Sequence, residues 1–326
     1  MKICIARIRS AANYIVPLDH VNDSFFELLK WYVRNHPEHE YYYYNFGFNQ
    51  KPKRDVEAIK NSDVIIIPSE AEFTYWIPGA IHTLDLKRSN EQLDLIKPYL
   101  EGKKVIILRS DRRDDEELYK TKVFPDINIT YETIDECDFG NVHGMKYRFI
   151  KQQSFLFPND EKTIDFVYWG SDKRKTIDGK LSGDQRHTIL KKIHASTDLD
   201  TWFIGRFYGF KRDEKWGKMK NILPTLLLSR STLCFNWMDP KATTSRYVEA
   251  VACGIFPFVW DNYDEDNTFV ATDWQRVRSY EEYLDKYFSL EYIDRFEEIE
   301  NKLFTVIKTP DEYYAQFEGM LNAMVL

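Results

Sequence analysis

The 326-residue chain is poor in glycine and proline, with 13 and 12 of each, which leaves little room for long flexible linkers or a disordered arm. Cysteine is scarcer still: Cys4, Cys137, Cys234 and Cys253 stand far apart and form no C-x-x-C pair. That argues against a disulfide framework or a zinc ribbon, and Cys234 and Cys253, inside apolar runs, read as buried reduced thiols. No run approaches the roughly 20 apolar residues of a membrane span. The first residues, Met1 to Ala6, have neither the apolar length nor the cleavage site of a signal peptide, so a cytoplasmic protein is expected. Excess positive charge is also missing. The net charge of −7 excludes a histone-like binder of nucleic acid, though not a local basic cleft. There is no Walker A sequence, no H-E-x-x-H and no G-x-G-x-x-G. The residues after the first apolar run, Arg7 to Asn13, contain no glycine, which disfavours a dinucleotide dehydrogenase.

What the sequence does have is aromatic residues, 16 % of the chain, and a length that suits two domains. Apolar, β-rich runs alternate with amphipathic stretches, the pattern of parallel sheets with crossover helices. In the first half the strands are expected at 2–6, 41–46, 64–68 and 104–108, with helices over 23–35 and 90–100. A second series places strands at 163–168, 201–204, 231–236 and 255–260, with helices over 186–195, 223–229 and 244–253. The stretch 155–162, with Pro158, Asn159 and Asp160, reads as a linker. The end, from Ser279, reads as helical with a break near Pro310. Two Rossmann-like domains are therefore expected, residues 1–158 and residues 159–308.

The informative region runs from Trp237 to Trp260. A buried strand leads into a polar loop; Thr244 or Ser245 can cap a helix carrying Arg246 and Glu249, and Gly254 can end it. Three residues apart, Arg246 and Glu249 share one helical face at the carboxyl end of a strand, where open α/β sheets bind ligands. An arginine at a helix N-terminus attracts a diphosphate, and a carboxylate can hold the two hydroxyls of a ribose. An ordinary surface ion pair has the same spacing. The D-x-D at Asp264–Asp266 lies in a polar loop and reads as solvated.

The pattern E-A-x-A-C-G-x-x-P over Glu249–Pro257 resembles the nucleotide-sugar site of B-type, two-Rossmann glycosyltransferases. The order of signals along nearly the whole chain resembles bacteriophage DNA glycosyltransferases, above all the DNA β-glucosyltransferases of T-even phages. It rests on Met1–Ile3 with Val16-Pro17, Val105–Arg112, Thr163–Ser171, Gly183–Ile189, Ile222–Pro224 and Arg246–Glu249. The run Ala252–Trp260 is also similar to the phage α-glucosyltransferases. The resemblance implies transfer of a sugar from a UDP-sugar (UDP-glucose or UDP-arabinose) to the hydroxymethyl group of 5-hydroxymethylcytosine or a similar pyrimidine in double-stranded DNA. It also implies an α/β fold of two Rossmann-like domains facing a central cleft, with the last helices, 309–326, packed back on the first domain, a monomer in the host cytoplasm during infection, and no membrane partner. No catalytic metal is required, with Mg2+ or Mn2+ at most assisting product release.

Residue by residue, Asp111 matches the catalytic base, taking the hydroxymethyl proton in an inverting displacement. Capping of a following helix is the plainer role for that aspartate. Asp19 and His20 match an acidic sugar or acceptor contact, with His20 an alternative base. Gly170 and Ser171 match a Gly-Ser turn beside the diphosphate, and Arg186 matches a diphosphate arginine. Lys173 and Arg174 compete for the other cation. Asn221–Pro224, Ile222 above all, matches the backbone stretch that reads uracil, and Asp239 a sugar contact. Arg246 and Glu249 complete the donor set.

Contact with DNA would fall to Arg109, Arg112 and Arg113, helped by Lys103 and Lys104, and to the aromatic and basic stretch 206–220 containing Arg206, Lys211 and Arg212. A glycan or lipid-linked acceptor, or a non-catalytic DNA-binding protein that kept a nucleotide fold, are the alternative readings.

Overall fold

The computed structural model describes residues 1–8, 23–46, 56–67, 94–109, 128–135, 147, 150–151, 161–171, 175–177, 180–182, 184–206, 216–217, 222–235, 244–261, 263 and 271–325. Their contacts divide the chain into two units.

The first unit is built on strands β1 (Lys2–Ile8), β2 (Glu40–Phe46), β3 (Val64–Ile67), β4 (Lys104–Arg109) and β5 (Thr130–Asp135). They form a parallel sheet in the order β2-β1-β3-β4-β5. Both faces are covered, so the central strands are continuous apolar runs, and every residue of β3 is buried. One face packs Cys4, Ile65, Val105 and Ile107 against Ala58 and Ile59 of helix α2 (Val56–Asn61). The other packs Ile5, Ile66 and Leu108 against Leu28, Leu29 and Tyr32 of helix α1 (Asp23–Asn35). The expected helix over 90–100 is, where described, one short turn with a 3₁₀ turn at Lys97–Tyr99, because Pro98 sits at its start.

The second unit holds β6 (Ile164–Ser171), β7 (Lys175–Ile177), β8 (Lys180–Ser182), β9 (Thr201–Arg206), β10 (Trp216–Gly217), β11 (Ser229–Cys234), β12 (Phe256–Trp260) and β13 (Arg276–Val277). Six of them make a parallel sheet in the order β10-β9-β6-β11-β12-β13, and β7 and β8 pair antiparallel. Helices α3 (Asp184–His194), α4 (Ile222–Leu227), α5 (Ser245–Ala252), α6 (Tyr280–Phe288), α7 (Glu291–Asp294) and α8 (Phe296–Val306) belong to this unit. The helix expected over 223–229 stops at Leu227, because Ser229 already begins β11 and pairs with Ile164. Helix α9 (Pro310–Val325) leaves this unit for the first. There Tyr313, Phe317 and Leu321, one helical face, are fully buried, and Tyr314 stacks on Trp31 at 4.4 Å.

Much of the aromatic content is core: Phe166, Tyr168, Phe203, Phe258 and Tyr283 are 1 % exposed or less, and their rings meet in tilted or edge-on pairs. Lys162, just ahead of β6, donates from its ammonium to the carbonyls of Leu227 and Cys253, at the ends of α4 and α5, and of Ser229, at the start of β11. Burial lowers its pKa to about 8.

Cys4, Cys234 and Cys253 are buried free thiols, and burial pushes those of Cys234 and Cys253 up to about 12. Alkylation at pH 8 is therefore expected to spare all three in the folded protein and modify them after denaturation. Peptide mass spectrometry after iodoacetamide labelling reads this directly, and labelling of any of the three in the native chain would contradict it. Among the described residues no helix is long and apolar enough to cross a membrane.

Candidate functional site

In the second sheet, β6 is the first strand in sequence and its neighbours are the second (β9) and fourth (β11). The chain order thus reverses between β6 and β11, and in such sheets a crevice opens there at the carboxyl ends of the strands. The carboxyl end of β6 is Tyr168-Trp169-Gly170-Ser171. Helix α5, after β11, brings Arg246 and Glu249 against it.

Both side chains are anchored on Trp169. Arg246 donates from Nη2 and Nε to its carbonyl oxygen at 2.6 and 3.1 Å. The guanidinium stands over the buried Tyr168 ring, Cζ 4.2 Å from the centroid. Glu249, 2 % exposed, accepts the Trp169 indole N–H at 2.6 Å. The surface ion pair open at the level of sequence is thus excluded, since spacing of three set each side chain on a different group of the same tryptophan.

This arrangement requires glycine twice. Gly170 (φ +124°) would place a Cβ 2.7 Å from Arg246 Nη2, and Gly205 (φ +135°) would place one 1.9 Å from the Gly170 carbonyl oxygen. The two are register partners on β6 and β9, so strand and guanidinium approach where a side chain would stand. Gly170 and Ser171 accordingly form the last paired residues of β6, opposite Gly205 and Arg206, rather than the expected turn.

Thr244 occupies the N-cap position of α5 without a side-chain cap bond, its hydroxyl and N–H turned to the buried Tyr263 hydroxyl at 3.1 and 2.8 Å. The Tyr247 N–H turns back to the Thr244 carbonyl at 3.0 Å, and a helix N-terminus beside an arginine favours anions. Cys253 is the C-cap and Gly254 follows at φ +69°, as its place after the helix anticipated.

Of the other sequence candidates, Ile222 opens α4 and is fully buried, so a ligand would meet its backbone. Arg186 lies half-buried in the first turn of α3. Arg109 and Arg206 are the last residues of β4 and β9, each at the carboxyl edge of its own sheet. Asp19, His20, Asp111, Arg112, Arg113, Lys173, Arg174, Lys211, Arg212 and Asp239 lie outside the described residues. Lys103 and Lys104 do not join Arg109. They sit at the opposite edge of the first sheet, where Lys103 donates to the carbonyls of Lys60 and Ser62, and Lys104 to that of Met324 and to Glu132. Their charge is absorbed by the fold.

The residues that sequence reasoning missed are Trp169, which holds the Arg246 and Glu249 side chains, and Gly205, which makes space for Gly170. Neither carries a local signal, because the pairing of β6 with β9 sets their roles. Arg246 beside the start of α5 fits the neutralisation of an anion.

No protein-family model matches the sequence, and no curated protein matches it significantly. Solved structures do match across the full length. A DNA-modifying β-glucosyltransferase, studied with and without uridine diphosphoglucose, has a TM-score of 0.57 at 14 % identity, covering 100 % of both chains. The β-glucosyltransferase of phage T4 with UDP-glucose gives the same values. An α-glucosyltransferase bound to UDP-glucose and DNA with an abasic site has a TM-score of 0.53 at 12 % identity, covering 99 % of each chain. The chain has the fold of phage DNA glucosyltransferases, the B-type α/β architecture expected from the order of its motifs.

Proposed function

We propose that this protein is a glycosyltransferase that moves a sugar from a UDP-sugar to the hydroxymethyl group of a modified pyrimidine in DNA. The observation that carries the reading is the joint anchoring of Arg246 and Glu249 on Trp169 at the reversal point of the second sheet. A planar cation beside a helix N-terminus, with a carboxylate one turn further in, matches a diphosphate followed by a ribose. The likeness in fold to enzymes solved with UDP-glucose and with DNA supports both partners.

In this reading the 159–308 segment holds the donor and the 1–158 segment, with 309–326, the acceptor. Arg246 and Arg186, with Lys173 or Arg174, balance the charge that develops on UDP as the glycosidic bond breaks. Glu249 holds the ribose, the backbone at Ile222 reads uracil, Ser171 borders the diphosphate and Asp239 contacts the sugar. Asp111 takes the proton of the hydroxymethyl group as its oxygen attacks the anomeric carbon. One displacement with UDP leaving from the opposite face inverts that carbon. Asp19 and His20 border the reacting groups, while Arg109, Arg112, Arg113, Arg206, Lys211 and Arg212 meet DNA phosphates. No step is routed through a metal ion.

The test is incubation with hydroxymethylated and plain DNA and a panel of UDP-sugars, read by mass spectrometry of the digested nucleosides. A sugar on the modified base alone is the expected result. Absence of sugar from every modified base would overturn the proposal, as would transfer confined to a glycan acceptor.

A further inference from the structure

Far along the chain from Arg246, between α1 and β2, the sequence His36-Pro37-Glu38-His39 folds into a turn that gathers two imidazoles and a carboxylate. Their ligand atoms all lie within 4.8 Å of one another. Glu38 Oε1 is the hub, 2.8 Å from His36 Nδ1 and 3.9 Å from His39 Nε2. On the far side of the His36 ring, Nε2 lies 3.0 Å from Oε1 of Glu318, on α9.

A neutral imidazole has one N–H and one lone pair. His36 has a carboxylate at both nitrogens, so without a cation one lone pair would face an anion. A proton shared with Glu38 would satisfy that ring alone. It gives no account of His39, whose ring lies nearly parallel to that of His36, centroids 5.8 Å apart and planes 17° apart, with Nε2 turned to the same oxygen. A metal ion satisfies all three. Bonds of about 2.0–2.2 Å in tetrahedral geometry place ligand atoms roughly 3.3 Å apart, between the two distances around Glu38 Oε1.

The group is also held in place before any ion arrives. The rings are 15 % and 16 % exposed, and Tyr32 packs on them at 4.3 and 6.2 Å. The His36 carbonyl accepts from the Tyr41 hydroxyl at 3.0 Å and from the His39 N–H at 3.2 Å.

We propose that His36 Nδ1, Glu38 and His39 Nε2 bind a divalent transition-metal ion of borderline softness, such as Zn2+ or Ni2+, and that the Glu318 carboxylate, 3.0 Å from His36 Nε2, steadies the His36 ring by its charge. Mixed imidazole and carboxylate ligands select such ions over Mg2+ or Ca2+, and a carboxylate behind a ligating histidine orients its ring. Because Glu318 lies on α9, an ion here would fasten the last helix to the turn after α1.

Calorimetric titration of the full chain with Zn2+ tests this, with Co2+ as an optical probe. One equivalent is expected to bind saturably, to raise the melting temperature, and to give a Co2+ spectrum without a thiolate charge-transfer band. H36Q/H39Q is expected to lose the binding, and E318Q, a positioning variant, to weaken it about tenfold while keeping the stoichiometry. If the double variant fails to fold, E38Q, altered at an exposed side chain, is expected to weaken Zn2+ at least tenfold. No saturable binding, undiminished binding in these variants, or a thiolate band would overturn the proposal.

Discussion

Replacing Arg246 by methionine is expected to weaken UDP binding by about 100-fold while the chain stays folded. The guanidinium spends two N–H groups on the Trp169 carbonyl and lies over Tyr168. Among the described residues its other N–H groups meet no acceptor. Two charge-assisted bonds to a diphosphate, at a net ~1.5 kcal/mol each, are ~3 kcal/mol, and ~1.4 kcal/mol is tenfold in affinity. Methionine keeps apolar contact with the Tyr168 ring, so the loss reports binding rather than packing. R246K is expected to recover little, since a point charge cannot both fork onto the carbonyl and stack on the ring. Calorimetry with UDP decides the matter: a dissociation constant within threefold of wild type would remove Arg246 from the donor site.

Asp111→Asn is expected to lower transfer by about 10³-fold at saturating substrate, with UDP affinity changed less than about twofold, the middle of the range for loss of a general base. Asp111 follows Arg109 by two positions in the sequence, and Arg109 ends β4 at the carboxyl edge of the first sheet, where open α/β sheets place reacting groups. Asparagine keeps the size and hydrogen-bonding capacity that a helix cap would need, and it removes the basicity. Rates of sugar transfer to hydroxymethylated DNA, set beside UDP calorimetry on the same preparation, separate the roles. A parallel fall in both would place Asp111 in support of the fold or the nucleotide site.

What was legible in the sequence and what was not divides along physical lines. Central strands such as Val64–Ile67 and Lys104–Arg109 announce themselves because both faces are buried and nearly every residue is apolar. Helix Asp23–Asn35 is legible from its spacing, and the helix between Thr244 and Gly254 from its flanks. Strand Thr130–Asp135 was not legible, since it is an edge strand with alternating polar residues and Ile134 in the core. Helix Val56–Asn61 is too short to show a period.

The candidate site divides in the same way. The sequence by itself determined that Arg246 and Glu249 share the start of a helix after a buried strand, because three-residue spacing and a terminal glycine are local facts. Only the tertiary structure decided what they face. Strand order put the helix at the reversal point beside β6, and register set Gly170 against Gly205, so that a guanidinium could lie where a side chain would otherwise be. The scarcity of glycine belongs to the same account. Gly170 and Gly205 stand where a Cβ would meet the Arg246 guanidinium or the neighbouring backbone, and long-range pairing, which no local pattern encodes, is what made glycine necessary there.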